Sequence, residues 1–400
     1  MFWGNGYDIY RQLKWQEIPK EKRDLFKKAD KSKEKVSFTG NECRISKHNI
    51  NDEWTPFEDA LELKVFPCLS KLTLTRWHKN IYEYLQSTPF ITELVLKNHG
   101  QTKLDFSKTS IHRLSIDLTG VEELRLNDDL EELVLLGDMS DNCQILVKDH
   151  GASLRLQLDS SLPKALGLKD LGAIHCSNIL EIDFAQILNN YPRLRELRLW
   201  GKPGHILNFH KLSEFKELVM FSTVDLFGFT AEDIPKPEDL PRLSMFWMSS
   251  LPEEAAKIAK KYYKKYYKKQ QDKGLNLWIT KPRKAEWLAQ NLDNPFRSWD
   301  GQENISTANA KKAASLYRKT RASVRKLLEN PNEDTMKHIE ALIREYTQGF
   351  NKMDKRNCFI ETIEREDIYD ALVEILDLLP EDLGMDKEKF IEIFDELKDF

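Results

Sequence analysis

Residues 69–74 of the chain read LSKLTL, and this six-residue phrase, aliphatic-x-x-aliphatic-x-aliphatic, returns many times before residue 250. The aliphatic side chains of such a segment point inward and the side chains between them face solvent, so each copy predicts one short strand with one buried face. A single strand of this kind cannot bury its apolar side alone, whereas stacked copies form a parallel sheet over a shared core. The copies are LSKLTL, ITELVL, IHRLSI, VEELRL, LEELVL, ILEIDF, LRELRL and FKELVM, which begin at Leu69, Ile91, Ile111, Val121, Leu130, Ile179, Leu194 and Phe215.

The phrase, repeated in several places at steps of about 20 to 25 residues, resembles a leucine-rich repeat of the irregular bacterial type. Weaker relatives of the phrase begin at Ser153, Leu171 and Leu240. The resemblance implies an α/β solenoid in which a parallel sheet forms a concave, protein-binding face. The chain departs from the family where an asparagine or cysteine normally follows the phrase, because Trp77 and His99 occupy two of those positions.

Two of the steps are too short for a complete repeat. The copies at Ile111, Val121 and Leu130 start ten and nine residues apart. This leaves no room for a helix between the strands, so we expect an extra strand on the second face of the array. A helical return is expected at residues 185–192, with Ile187 and Leu188 packed inward.

The change of pattern along the chain predicts three parts. Residues 1–68 form an N-terminal cap, because a repeat array exposes the apolar end of its first coil. The solenoid occupies residues 69–250. Residues 251–400 show an apolar period of 3.6, which is typical of amphipathic helices and predicts an α-helical domain. The predicted helices of this domain span about 253–273, 306–329, 331–353, 364–379 and 386–398.

The overall composition argues against several classes of protein. The 400 residues include 61 Lys and Arg, 65 Asp and Glu and 40% hydrophobic residues, which gives a net charge of -4. This balance disfavours a disordered chain and a strongly basic nucleic-acid binder. The sequence has no apolar run of membrane-spanning length, and its first residues carry charges where a signal peptide would be apolar. Five cysteines without C-x-x-C spacing indicate reduced thiols and predict a cytoplasmic protein.

Charge is polarised in the C-terminal part of the chain. Residues 251–359 contain 24 basic and 13 acidic side chains, and residues 360–400 contain 4 basic and 15 acidic side chains. Because the two imbalances are equal in size and opposite in sign, we expect these blocks to attract each other within the helical domain.

The exposed face of the expected sheet is the first candidate for a binding site. Alignment of the last three repeats places Trp200, Phe221 and Phe246 in one row. Exposed aromatic side chains beside charges are typical of protein-binding anchors, although the adjacent helical domain could instead cover this row. The charged residues expected beside the row are Glu196, Arg198, Glu217 and Arg242.

A larger surface of mixed charge is expected to continue from this row across the sheet. Mixed charge favours a protein partner over a phosphate backbone. The residues of this surface are Lys71, Glu93, Arg113, Glu123, Arg125, Glu132 and Arg155.

A second candidate is the predicted helix 253–273, in which residues 257–273, KIAKKYYKKYYKKQQDK, alternate lysines with tyrosines. Lysines for phosphates and tyrosines for stacking would suit nucleic acid or another anionic ligand. The alternative is that the tyrosines pack inward while the lysines form a solvated face. The lysines proposed to contact an anionic ligand are Lys261, Lys264, Lys265 and Lys268.

An enzyme that uses Cys358 is the third alternative. Bacterial ubiquitin ligases also join leucine-rich repeats to a helical domain with a nucleophilic cysteine, but RNCFIE at Cys358 lacks the Cys-x-Asp arrangement of that family. The carboxylates between residues 354 and 366 are more simply explained as helix-start charges. No sequence motif indicates a metal or cofactor. The sequence therefore favours a non-catalytic scaffold, an adaptor, inhibitor or immunity-type protein, that binds another protein through its repeat sheet.

Overall fold

The computed structural model of the protein describes residues 36–38, 41–43, 49–53, 57–66, 69–137, 139, 143–160, 162, 167–269, 275–380 and 387–400. The chain divides into two compact units, Met1–Arg283 and Lys284–Phe400. The first unit is a mixed α/β structure built on a large parallel sheet, and the second unit is α-helical. The predicted combination of a parallel α/β sheet with a helical C-terminal region is confirmed.

The strands of the first unit are short, and most belong to one sheet. Eleven strands form this main sheet in the order β16-β15-β14-β13-β12-β11-β9-β7-β5-β4-β3, and every neighbouring pair is parallel. The strands in chain order are β1 (Val36–Phe38), β2 (Asn41–Cys43), β3 (Asn49–Asn51), β4 (Lys71–Leu74), β5 (Glu93–Leu96), β6 (Lys103–Asp105), β7 (Arg113–Asp117), β8 (Glu123–Arg125), β9 (Glu132–Leu136), β10 (Gln144–Leu146), β11 (Arg155–Asp159), β12 (Ala173–Asp183), β13 (Glu196–Leu207), β14 (Met220–Phe227), β15 (Met245–Pro252) and β16 (Asn276–Arg283).

Strands outside the main sheet explain the short steps in the sequence. Strands β6, β8 and β10 form a second parallel sheet with β8 in the middle. Strands β7 and β9, which flank β8 in the chain, pair directly with each other in the main sheet. The closely spaced phrases therefore alternate between two sheets, which confirms the predicted extra strand on a second face.

The core of the first unit contains one aligned inward-facing residue from each of ten consecutive strands of the main sheet. Each residue lies opposite its counterpart on the next strand, and none is more than 1% exposed. Burial of one such side chain contributes about 1.5–3 kcal/mol, so the shared row is a major source of stability. The residues are Ile50, Leu72, Leu94, Leu114, Leu133, Leu156, Ile174, Leu197, Phe221 and Phe246. The predicted in-phase stacking of strands over one apolar interior is confirmed.

Helical segments close the side of the main sheet that carries this core. Helix α1 (Ile81–Ser87) and helix α2 (Phe184–Asn190) each complete one return. Helix α2 begins where the Asp183 carboxylate accepts a hydrogen bond from the Ala185 amide at 2.8 Å, an N-cap that satisfies a free amide of the first turn. Ile187 is buried as predicted.

The first unit continues past residue 250. Helix α3 (Glu253–Lys269) packs on β15 and β16, and β16 extends the main sheet by pairing with β15. The division between the units therefore falls after Arg283, whereas the sequence pattern placed the end of the solenoid at residue 250. The reason is local packing, because the helical period of α3 buries Ala255, Ala259 and Tyr263 against the sheet.

The second unit is a set of amphipathic helices around its own core. Its helices are α4 (Ala285–Asn291), α5 (Thr307–Glu329), α6 (Thr335–Asn357), α7 (Thr362–Leu376) and α8 (Lys387–Leu397). Ser306 caps α5 by accepting a hydrogen bond from the Asn309 amide at 3.1 Å. Ala313, Tyr317 and Val324 on α5 are buried, as the sequence periodicity predicted.

The predicted N-terminal cap falls largely outside the described residues. Within its described part, a 3-10 helix at Ala60–Val65 begins with Asp59 as its N-cap, and Glu62 completes a capping box. No helix in the described ranges is long and apolar enough to cross a membrane. The three cysteines described with their side chains, Cys143, Cys176 and Cys358, are free thiols.

Candidate binding face

The side of the main sheet opposite its core carries two parallel rows of side chains. The strand register defines both rows, because residues that pair across strands lie side by side. The outer row comprises Lys71, Glu93, Arg113, Glu132, Arg155, Ala173, Glu196, Met220, Met245 and Asn276. The central row comprises Thr73, Val95, Ser115, Val134, Gln157, His175, Arg198, Ser222, Trp247 and Trp278. We call these two rows together the open face.

Charges alternate in sign along the outer row between β4 and β13. Side chains in this part form ion pairs across adjacent or next-but-one strands and, in one case, within β13, so this half of the open face largely neutralises itself. Exposed pairs of this kind contribute only about 0–1 kcal/mol each to stability, and they act more on the choice of partner. The pairs are Lys71–Glu93 at 3.5 Å, Arg113–Glu132 at 3.2 Å, Arg155–Glu196 at 3.5 Å and Arg198–Glu196 at 2.7 Å.

A histidine lies at the centre of the open face among these charges. His175 contacts Trp200 edge to face, with ring centroids 4.3 Å apart. Burial, followed by the positive charges of Arg198 and Arg155, lowers the pKa of His175 below its ordinary value. The lowered pKa favours the neutral imidazole at pH 7, which limits the positive charge at the centre of the face.

The end of the open face formed by β14 to β16 is mostly apolar and aromatic. Trp247 and Trp278 meet edge to face with ring centroids 5.8 Å apart, and Trp278 is 52% exposed. The indole N–H of Trp247 donates to the Asn276 side-chain oxygen at 3.2 Å, which fixes the orientation of that ring. Met220 and Met245 are partly exposed beside them in the outer row. Together with the exposed Trp200, these side chains form what we call the aromatic end.

The structure corrects the predicted row of Trp200, Phe221 and Phe246. Phe221 pairs with Leu197 and not with Trp200, which lies beside Val224. Phe221 and Phe246 are fully buried, and their rings stack with centroids 5.6 Å apart. The predicted alignment was displaced by three residues, and a displacement by an odd number moves a strand residue to the other side of the sheet.

The same displacement affects the charged residues expected beside that row. Glu196 and Arg198 lie on the open face as predicted, paired with each other. Glu217 and Arg242 precede strands β14 and β15, where they form an ion pair with each other in the turns.

Trp247 and Trp278 are the residues that the sequence argument missed. The sequence LNLWIT at 275–280 contained the signal. Side chains alternate between the two sides of a strand, and Leu275 and Ile279 are buried on one side, so Trp278 must point to the other side. Trp247 could be placed only after the register of β15 was known, because Phe246 beside it is equally apolar in sequence.

A cleft of about 350 Å³ opens at the start of strands β9, β11, β12, β13 and β14. Arg155, Glu196 and Met220 of the outer row belong to its lining, together with Arg195. The Arg195 guanidinium donates a hydrogen bond to the backbone oxygen of Ala152, and this bond fixes the guanidinium in the wall of the cleft. The cleft therefore joins the charged part of the open face to the aromatic end.

Helix α3, which is rich in lysine and tyrosine, does not pack in a way that suits base stacking. Tyr263 is buried, and its ring stacks on Phe246 with centroids 4.3 Å apart. Tyr262 is partly buried against the same core. Lys261 and Lys264 are exposed, while the side chains of Lys265 and Lys268 lie outside the described part of the chain. The inward packing of tyrosines, which the sequence left open, is what the described residues show.

The third candidate, Cys358, lies at the C-terminal end of α6. It is exposed and adopts a left-handed backbone conformation as the C-cap of that helix. Glu361 and Glu364 form a capping box at the start of α7, which accounts for two of the nearby carboxylates. In the described residues no group of three His, Cys, Asp or Glu side chains could hold a metal ion.

Comparisons with known proteins add no identification. No protein-family model matches the chain, and no curated protein matches it either.

Proposed function

We propose that the first unit is an irregular solenoid of the leucine-rich-repeat kind and that the protein is a non-catalytic scaffold that binds another protein through the open face. The observation that carries this proposal is the aromatic end. There, Trp200 and Trp278 are 41% and 52% exposed on the parallel sheet. Trp247 lies between them in the strand order.

Tryptophan is among the residues that contribute most to protein interfaces, because its ring buries a large area while few rotatable bonds are fixed. The sheet beneath the aromatic end is already ordered by a fully buried core that includes Leu197 and Phe221. Binding to such a surface costs little ordering entropy, so a few anchors suffice for high affinity.

The charge pattern beside the aromatic end favours a protein as partner. A phosphate backbone requires uncompensated positive charge, whereas Arg113, Arg155 and Arg198 each pair with a glutamate. Alternating charges impose register and reject mismatched partners, which is the role that such residues have at the rim of protein interfaces.

A cytoplasmic location completes the proposal. Cys143 and Cys176 are buried free thiols, and burial raises the pKa of Cys176 to about 12, which keeps the thiol protonated and unreactive. Buried, unpaired thiols are typical of proteins that fold under reducing conditions.

The nucleic-acid alternative has less support. Base stacking on α3 would need exposed tyrosine rings, whereas Tyr263 is part of the core. Lys257 is already paired with Glu253 at 3.2 Å and with Glu254 at 2.7 Å.

Capture of partners from a native extract, with the full chain as bait, tests the proposal. The bait is compared with its Trp247→Ala and Trp278→Ala forms by quantitative mass spectrometry. Ile363→Ala is the matched control, because Ile363 is 70% exposed on α7 of the second unit. A protein that is retained by wild type and Ile363→Ala but lost by both tryptophan variants supports the proposal. Equal retention by all four baits contradicts it.

A further inference from the structure

Helix α5 of the second unit carries a regular stripe of basic residues on its solvent side. The stripe repeats every seven residues, and each repeat contains one small residue followed, three positions later, by two basic residues. All nine side chains are exposed. The residues are Ala308, Lys311, Lys312, Ser315, Arg318, Lys319, Ala322, Arg325 and Lys326. We call them the basic stripe.

Most of the charges in the basic stripe have no partner within the described part of the chain. Lys319 forms an ion pair with Glu345 of α6. The other five basic side chains form neither an ion pair nor a hydrogen bond with any described residue, and like charges this close on one face of a helix repel one another. An uncompensated row of this kind indicates a surface that meets negative charge outside the unit. These five are Lys311, Lys312, Arg318, Arg325 and Lys326.

The geometry of the basic stripe is straight and evenly spaced. Seven residues fall only about 20° short of two helical turns, so the three basic pairs point in nearly the same direction. They are about 10.5 Å apart along the axis at 1.5 Å per residue. Ala308 precedes the first pair, and Ser315 and Ala322 lie between successive pairs. All three lack long side chains, so another backbone can approach the helix closely there.

We propose that the basic stripe docks an α-helix of a partner protein whose acidic residues recur every seven positions. A helix with that repeat presents carboxylates at the same spacing of about 10.5 Å, so three acidic pairs can meet the three basic pairs at once. The small residues of the stripe let the two axes approach. The basic stripe belongs to the second unit and the open face to the first, and this proposal does not depend on the function proposed for the open face.

Two observations favour an acidic helix over nucleic acid. The unit formed by Lys284–Phe400 contains 18 Lys and Arg against 25 Asp and Glu, a net charge of -7 that repels a long polyanion. The basic stripe contains no aromatic side chain on which a base could stack. A compact acidic helix meets the stripe without bringing further negative charge near the rest of the unit.

A cleft beside the basic stripe can set the position of the docked helix along the stripe. The cleft has a volume of about 690 Å³, and its walls include Lys311 and Arg318 from α5 and Asn291 from α4. A side chain that projects from the partner helix between two acidic pairs can enter this cleft beside the Asn291 amide, which is held in place because it donates to the Trp287 backbone oxygen and accepts from the Asn294 amide. The cleft therefore supplies the register that charge alone does not.

Titration of the full chain with synthetic helical peptides tests the proposal. The probe is an alanine-rich peptide with a Glu-Glu pair every seven residues, and its control has the same composition and helicity with the glutamates spread around the helix. We expect the seven-residue peptide to bind about tenfold more tightly than the control, which corresponds to about 1.4 kcal/mol. R318E/K319E should weaken its binding by a similar factor, whereas Lys352→Glu, at an exposed position on α6, should not.

Three results would overturn the proposal. The first is equal affinity for the two peptides, which would mean that only total charge matters. The second is tighter binding of a single-stranded RNA or a duplex DNA than of the seven-residue peptide, with the same loss in R318E/K319E, which would make the stripe a phosphate surface. The third is no binding of the seven-residue peptide at low ionic strength, where exposed charges are least screened.

Discussion

Leu197 of β13 and Phe221 of β14 lie directly opposite each other in the main sheet, and both are fully buried. This pair fixes the register of every later strand, because Phe221 is in turn aligned with Phe246 of β15. With these rings inside, Trp247 and Trp278 fall on the open face. The proposed binding surface therefore follows from the register of one strand pair.

The first prediction contrasts the two sides of the sheet. Phe221→Ala should lower the free energy of unfolding by about 3–5 kcal/mol, because it opens a cavity in the shared core. Trp278→Ala should lower it by about 1 kcal/mol or less, because its ring is half exposed. Urea denaturation of the full chain measures both changes. A loss for Trp278→Ala as large as that for Phe221→Ala would contradict the register.

Most of the fold could be predicted from the sequence because the LxxLxL phrase combines the strand period with a fixed step along the chain. Leu72, Leu94 and Leu197 therefore lie in one row, as predicted. The phrase failed where aromatic residues replace the aliphatic ones. FKELVM, residues 215–220, satisfies the pattern, yet the strand begins only at the last residue of this phrase, Met220. The core positions there are occupied by Leu218, which precedes the strand, and Phe221, which lies in it.

That error affected the prediction of the candidate site more than the prediction of the fold. A displacement of three residues leaves a strand in the right place but exchanges its exposed and buried side chains. Arg198 and Trp200 were placed correctly because β13 was read in register. The exposure of Trp247 could not be deduced, since Phe246 and Trp247 are adjacent and equally suited to a core by composition.

A second prediction concerns Tyr263, whose buried hydroxyl has no hydrogen-bond partner among the described residues. Tyr263→Phe should leave the stability of the first unit unchanged or raise it slightly, because the ring keeps its stacking on Phe246 and an unsatisfied polar group is removed. Tyr263→Ala should cost about 3–5 kcal/mol. Thermal unfolding of the two variants measures the contrast. A large loss in Tyr263→Phe would show that the hydroxyl makes an essential contact.

A third prediction is a pH dependence that arises from His175. Because its pKa is lowered in the folded protein, the unfolded chain takes up a proton below its ordinary value near 6.5 that the folded chain does not. The free energy of unfolding should therefore fall as the pH decreases through that window. His175→Gln should reduce the fall, whereas the exposed His210→Gln should not. Urea midpoints at about pH 7.5 and about pH 5.5 test this, and an unchanged slope in His175→Gln would refute the assignment.

A fourth prediction concerns the buried pair Asp52 and His78, whose side chains meet at 2.7 Å. Burial tends to raise the pKa of Asp52, but hydrogen bonds from His78 and from the amide and hydroxyl of Thr75 outweigh it and leave that pKa lowered. A lowered carboxylate pKa contributes stability above its ordinary value of 3.8, and this stability is lost as the pH falls through the folded value.

Asp52→Asn should therefore destabilise the start of the main sheet at neutral pH and flatten the loss of stability in acid. Hydrogen exchange of the β3 and β4 amides measures the local effect, and acid titration of the unfolding free energy measures the second. The exposed Asp128→Asn is a suitable control, since its carboxylate is distant in sequence and only weakly paired, 4.0 Å from Lys148. Identical acid profiles for wild type and Asp52→Asn would contradict the role assigned to the pair.

Covalent labelling of tryptophan, in the free protein and in its complex with a captured partner, measures whether the aromatic end of the open face is the contact surface. We expect Trp247 and Trp278 to react in the free chain and to be protected in the complex. Full labelling of both rings in a saturated complex, with protection confined to other surfaces, would contradict it.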